Sequence, residues 1–247
     1  MTDLSMGTAK LSVGGVFSQS IATIRAKLLF FVFTGLLIGM AYVVHSRSGL
    51  QGSDPSAVSW NLVAIALVLL VVLGAVGGIL CTRATAGPLG SDAGSEFAPA
   101  VQAALPKLLP VVLTSVLYGL IVVLGTLALV VPGVLAMTIL GVCIPACILE
   151  DLSPIGALKR SRELTRGNRW RILGLFLISI LVALGVGLVV SLPLDFASTV
   201  PGPGGFFFSV VSSAVDGLVA TFSSVLSTHA FLELRRLKGE AAPASLI

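Results

Sequence analysis

Long stretches without a charged residue constrain this chain more than any other feature. Residues 28–46 and 108–149 contain no Asp, Glu, Lys or Arg. About 20 apolar residues in a helix cross the hydrocarbon core of a bilayer, so both stretches are long enough to do so. The chain as a whole is 56% apolar and 11% charged, with a mean hydropathy of +1.07, whereas soluble domains are about 25% charged. These values indicate an integral membrane protein.

The lengths of the apolar stretches predict how many times the chain crosses the membrane. The stretch 108–149 is too long for one crossing, and "VVPG" at 130–133 predicts a tight turn that divides it. A Pro/Gly-rich segment, "LPLDFASTVPGPGG", separates the last two apolar stretches. We therefore predict an all-α integral membrane domain over residues 1–240 and a disordered tail at 241–247. Its six transmembrane helices are predicted at about 28–46, 58–81, 108–130, 134–149, 170–191 and 206–230.

The distribution of positive charge predicts the orientation of these helices. Six crossings place both termini and the second and fourth connections on the same side of the membrane. Every Lys and Arg except Arg47 then lies on that side. Because cytoplasmic loops are enriched in Lys and Arg, both termini are predicted to be cytoplasmic.

An internal repeat accompanies the predicted crossings. "LSVGGVFSQSIATIR" and "LSPIGALKRSRELTR" align Ser12 with Ser153 and Gly15 with Gly156, and "GSEFAPAVQAALPKL", with Ser95, matches them loosely. Each segment precedes a predicted transmembrane hairpin. The pattern predicts three tandem units, each an amphipathic helix followed by a hairpin.

The second of these segments is strongly basic. Ser153 is a candidate N-cap with Pro154 at the first helical position, and Gly167 would end the helix. Ile155, Leu158 and Leu164 form an apolar stripe, as in a helix that lies in a membrane interface. The neighbouring cations are candidate contacts for anionic lipid headgroups or for a partner protein: Lys159, Arg160, Arg162, Arg166, Arg169 and Arg171.

The sequence "LEDLSPIGALKRSRELTRGNRW" resembles a signature of a bacterial six-helix membrane family. That family includes the membrane domain joined to some glycerophosphodiester phosphodiesterases. "VPGVLAMTILGVCIPACILE" and "HAFLELRRLKGE" are also similar to its patterns. The resemblance implies six helices with cytoplasmic ends in a bacterial inner membrane, and it implies no established activity. The phosphodiesterase chemistry belongs to a separate soluble domain, which this sequence, with two histidines, is not predicted to contain.

Asp216 lies near the middle of the sixth predicted helix, among serines spaced three or four residues apart. The serines singled out with it are Ser209, Ser212, Ser213 and Ser223. Intramembrane carboxylates are costly and are often functional, which favours a protonatable or cation-binding site in a polar cavity. Serine-rich faces also let helices pack closely in lipid, so a structural role for Asp216 remains open.

Other small residues favour packing over chemistry. Gly35 with Gly39 and Gly74 with Gly78 are spaced as small-residue packing faces. Cys143 and Cys147 lie on one face of the fourth helix, but no third ligand is near in sequence, so a helix kinked at Pro145 is predicted rather than a metal site.

These features favour a non-catalytic inner-membrane protein with a structural, assembly or membrane-organising role. Its predicted partners are anionic lipid headgroups and other membrane proteins or a second copy of the chain. No nucleic acid, cofactor or metal is predicted, and the usual catalytic motifs are missing from the sequence. One alternative is a small-solute, ion or lipid transporter or channel that uses Asp216. A second is a lipid-active enzyme, for which Glu150, Asp151 and His229 are the available polar groups.

Overall fold

A computed structural model of the chain describes residues 11–28, 31–32, 34–36, 60–86, 102, 105–198 and 203–240. All regular structure in these ranges is helical, as predicted. The helices are α1 (Val13–Ala26), α2 (Trp60–Ala86), α3 (Leu108–Ala128), α4 (Val130–Leu140), α5 (Cys143–Leu149), α6 (Pro154–Thr165), α7 (Arg169–Val186), α8 (Leu192–Ser198) and α9 (Pro203–Leu237). A short 3₁₀ turn, Leu105–Lys107, precedes α3, and a π-helical turn, Gly187–Ser191, joins α7 to α8.

Four helical stretches in these ranges are long and apolar enough to cross a membrane. They are Leu105–Ala128, Val131–Leu149, Arg169–Ala197 and Gly204–Leu237, and they correspond to the third to sixth predicted spans. The apolar part of α2, Val71–Ala86, is shorter. The first predicted span, 28–46, and the tail at 241–247 fall largely or wholly outside the described residues, so the number of crossings stays a prediction.

The hairpin between α3 and α4 turns at a different residue from the one predicted. Leu129 alone is extended, with φ −165° and ψ 143°, and "VVPG" forms the first turn of α4. Proline is tolerated there because the first turn of a helix has no internal partners for its N–H groups. A Cβ atom on Gly133 would lie 2.8 Å from the backbone N and Cα of Thr126. The absence of a side chain at Gly133 therefore lets the two helices touch.

Within the helical stretch Val131–Leu149, the regular α-helix of the fourth predicted span is interrupted for two residues. Helix α4 ends at Leu140 and α5 begins at Cys143. Pro145 has no N–H to donate to the carbonyl of Gly141 four residues earlier, and the Ser227 hydroxyl donates to that carbonyl instead, at 2.7 Å. Cys143 and Cys147 are buried free thiols. No cluster of three potential metal ligands occurs in the part of the chain that the structure describes.

The packed core lies at one end of the bundle. There α1, α5 and α6 meet the start of α7 and the last turns of α9, around Phe231, Leu164, Ile172 and Leu175, all 0% exposed. Toward the opposite end apolar side chains point outward: Leu127 is 83% exposed. Such a surface suits a hydrocarbon environment rather than water. We call the packed end, which carries the cations of α6 and α9, the basic end.

Helices α1 and α6 begin with the same cap. The Ser12 hydroxyl accepts a hydrogen bond from the Gly15 N–H at 3.1 Å, and the Ser153 hydroxyl accepts one from the Gly156 N–H at 3.3 Å. These are the residues that the repeat aligns. The third copy, at Ser95, lies outside the described residues, so the three-unit arrangement stays a prediction.

Candidate functional site

The outward face of α6 is basic. Ile155, Lys159, Arg162 and Arg166 are spaced four, three and four residues apart, which places them on one side of a helix, and all four are exposed. Arg169 and Trp170 follow at the start of α7, and Trp170 is 84% exposed. We call these six residues the basic face. The basic face thus presents four exposed cations and two exposed apolar groups, with the exposed Glu163 beside them on α6.

The apolar stripe predicted for α6 is divided between two sides of the helix. Leu164 is fully buried in the protein core, while Ile155 is 62% exposed on the basic face. Besides Leu164, the buried residues of α6 are small or carry a hydroxyl: Ala157, Ser161 and Thr165. The Ser161 hydroxyl donates to the Ile139 carbonyl at 2.8 Å. Small side chains let α6 pack against the bundle. The prediction that Ile155 and Leu164 share one apolar face toward the membrane is therefore wrong, because they lie on opposite sides of the helix.

Two of the six candidate cations serve the protein interior. Arg160 contacts the Glu150 carboxylate through Nε at 2.8 Å and Nη2 at 3.1 Å. Arg171 donates to the Leu11 carbonyl at 2.6 Å, and the Asn168 side-chain oxygen accepts from the Leu11 N–H at 3.2 Å. Arg171 therefore helps to hold the segment before α1 against α7. The other four, Lys159, Arg162, Arg166 and Arg169, remain exposed.

Arg160 belongs to a network of four charges at the basic end. Glu150 also contacts Arg235 at 3.1 Å, Arg235 contacts Glu240 at 3.2 Å, and Glu240 contacts Arg160. The hydrogen bonds that Arg160 donates to Glu150, opposed by burial and reinforced by those to Glu240, raise the pKa of Arg160 above its usual value. The alternation of cation and carboxylate fixes α6 to the end of α9.

The other polar groups considered for a lipid-active enzyme, Asp151 and His229, have structural partners of their own. Asp151 pairs with Lys107, whose ammonium group also donates to the Ile148 carbonyl at 2.8 Å. The His229 ring lies 2.9 Å from the Thr23 hydroxyl, between α9 and α1. Each candidate catalytic group thus joins elements of the fold.

Asp216 takes part in a row of polar contacts between α9 and the α7–α8 segment. The Ser191 hydroxyl, in the π-helical turn, donates to Asp216 at 2.8 Å. One helical turn away, the Ser212 hydroxyl donates to Asp195 at 2.6 Å. We call these paired side chains, together with Ser179 and Ser223, the polar ladder.

The rest of the predicted serine stripe follows the same interface. Ser209, Ser212 and Ser213 are buried, and the Ser223 hydroxyl lies 3.2 Å from that of Ser179 on α7. Sequence reasoning missed the partners of this stripe. Asp195 lies in a Pro/Gly-rich segment whose composition predicts a loop, but its residues 192–198 form α8. The one sequence signal for its contact with Ser212 is that Asp195 follows Ser191 by four residues, which places both on the same side of a helix.

Comparison with known proteins gives one match. A family described as "Domain of unknown function (DUF7847)" matches residues 4–234, a range that contains the basic face and the polar ladder. No curated protein and no solved structure shows a significant match. The link to glycerophosphodiester phosphodiesterases and a bacterial origin have no support from these comparisons and stay predictions.

Proposed function

This chain belongs to the DUF7847 family, and from that premise we propose that it is a non-catalytic membrane protein with a structural, assembly or membrane-organising role. We include in the proposal six crossings in three units, cytoplasmic termini and a bacterial inner membrane. The basic face supports this proposal most directly. Its cations are exposed on one side of α6, while the other side of that helix is anchored in the core.

The chemistry of the basic face fits an anionic lipid surface. A Lys or Arg near such a surface contributes about 1 kcal/mol of attraction, so four cations held in one place add up. Trp170 and Ile155 supply apolar groups beside the charges, and tryptophan favours the headgroup level of a bilayer. Because α6 is packed against the bundle, its backbone needs no further ordering when lipid binds.

Fluorescence quenching of Trp170 tests this proposal. The chain has two tryptophans, so Trp60→Phe leaves Trp170 as the only reporter. In nanodiscs, we expect brominated phosphatidylglycerol to quench Trp170 more strongly than brominated phosphatidylcholine at equal mole fraction. Changing Lys159, Arg162, Arg166 and Arg169 to Gln should abolish the difference, since the attraction is electrostatic.

Two further variants are the controls for this measurement. Changing Arg162, Arg166 and Arg169 to Lys keeps the charge and should keep the lipid preference. Arg25→Gln with Arg236→Gln removes exposed charge elsewhere and should also keep it. If the four-Gln variant inserts normally and retains the preference, lipid binding by the basic face is wrong; a partner protein captured only by the unchanged face would then replace lipid as its ligand.

A transporter or channel is the second candidate function, and the π-helical turn at Ser191 favours it. Such turns are rare and often occur at functional sites. This one places the Ser191 hydroxyl within hydrogen-bond distance of the Asp216 carboxylate. Interrupted helices are also common at transport sites, and the stretch that contains α4 and α5 is interrupted between them, at Gly141. A carboxylate between helices would then bind a cation or a proton.

Asp216→Asn separates the two functions. The amide oxygen of Asn can still accept a hydrogen bond from Ser191, so the fold should persist. If the protein has the organising role, the Asp216→Asn variant should fully complement a strain that lacks the gene. Asp216→Leu, which removes the acceptor, should lower thermal stability in either case. Loss of function in a folded, inserted Asp216→Asn protein would favour transport over the organising role.

A further inference from the structure

A cavity of about 350 Å³ lies between α2, α3, the α4–α5 break and α9. It is separate from the basic face, and it adjoins the polar ladder through Ser223, while Asp216 is not among the described residues that line it. Gly74 and Gly78 of α2 form one wall. A Cβ atom on either glycine would meet nothing within 4 Å. Within one chain, this small-residue face therefore borders open space, and its packing against a second copy stays a prediction.

The opposite walls carry hydroxyl groups. Ser115 and Tyr118 on α3 and Ser224 and Ser227 on α9 line the cavity. Ser227 is bound to the Gly141 carbonyl at 2.7 Å. Within the described part of the chain, the hydroxyls of Ser115, Tyr118 and Ser224 make no hydrogen bond. Three hydroxyls are thus available to a molecule in the cavity.

The cavity disfavours charge by its composition. The described residues that line it include no Asp, Glu, Lys, Arg or His. An ion at this place would lose its hydration without a counter-charge.

We propose that this cavity binds an uncharged amphiphile, a molecule with an apolar body and a hydroxyl, carbonyl or ether oxygen. Ligand sites of this size are mostly apolar, with a few polar groups that orient the ligand. The glycines and the apolar side chains would contact its body, and Ser115, Tyr118 and Ser224 would bind its oxygen. The proposal is independent of the basic face, so either one can fail alone.

Photolabelling of the full chain in nanodiscs tests the site. The probe is 3-azioctanol, an uncharged alcohol with a diazirine group, and the labelled residues are mapped by mass spectrometry. We expect saturable labelling at 74–78, 115–118 and 223–227 that excess octanol suppresses. Gly78→Leu fills the cavity and should reduce this labelling about tenfold, equivalent to about 1.4 kcal/mol of binding free energy.

Gly174→Leu is the matched control. A Cβ atom at Gly174 also meets nothing within 4 Å, but Gly174 lies on α7 and does not line the cavity, so labelling should be unchanged. A variant with Ser115→Ala, Tyr118→Phe and Ser224→Ala keeps the cavity and should lose several-fold of the labelling, which tests the site even where Gly78→Leu impairs folding. Labelling that is indifferent to both cavity variants, or equal labelling by an anionic diazirine-bearing octanoate, would overturn the proposal.

Discussion

Replacing Glu150 with Ala should lower the stability of this protein more than any other removal of a single charge at its basic end. Glu150 is the carboxylate shared by Arg160 and Arg235, and the side chains of Glu150 and Arg235 are only 14% and 13% exposed. Breaking a buried ion pair by removing one partner costs about 3–5 kcal/mol. Because these groups retain some contact with solvent and Glu240 remains, we expect a loss near the lower end, about 3 kcal/mol.

Thermal unfolding of the purified protein in one detergent measures this loss. Asp151→Asn is the control because Asp151 is the next residue and also pairs with a cation, Lys107, and because Asn, like Asp, tolerates the positive φ of 51° at this position. Its side chain is 63% exposed, and exposed ion pairs contribute about 1 kcal/mol or less. Similar falls in melting temperature for the two variants would show that the network around Glu150 adds no more than a surface pair.

The network of Glu150, Arg160, Arg235 and Glu240 also explains why the cations of the basic face stay exposed. Arg160 holds the inner side of α6 through Glu150 and Glu240, and α6 joins directly to the start of α7 through Gly167, whose φ of +98° suits glycine. Lys159 and Arg162, the neighbours of Arg160, point away from that network and remain exposed. Loss of Glu150 is therefore expected to weaken lipid preference indirectly, without removing a lipid contact.

Local signals in the sequence predicted the helix starts and the membrane class. The Ser153 cap and Pro154 depend on residues within one turn of each other, and the apolar stretches depend only on composition. Both kinds of signal act at short range.

Contacts between distant segments could not be read in the same way. Nothing near Arg160 in sequence shows that it faces Glu240 while Arg162 faces outward, because both fit an amphipathic helix. Gly74 and Gly78 have the spacing of a packing face, yet the side chains opposite them leave a cavity. Which of these outcomes occurs depends on residues from three other helices.

Gly133→Leu should disrupt the α3–α4 hairpin, and this is the second large effect that we expect. Even a Cβ atom on Gly133 would lie 2.8 Å from the backbone of Thr126. A Cβ atom on Gly125 would likewise lie 3.1 Å from the Cα atom of Gly133. Backbone atoms cannot move aside as a flexible side chain can, so the two helices must separate. Overpacking costs about 1–3 kcal/mol or more, and here the cost should lie at or above the upper limit.

Gly119→Leu distinguishes this steric effect from a general effect of glycine replacement. Gly119 is also a helical glycine of α3, but a Cβ atom there meets nothing within 4 Å. Leucine favours helix over glycine by about 0.8 kcal/mol, so Gly119→Leu should keep or raise the melting temperature while Gly133→Leu lowers it sharply. If Gly133→Leu left the melting temperature unchanged, the chain would have to turn elsewhere than at Leu129, since close contact of α3 with α4 leaves no space for that side chain.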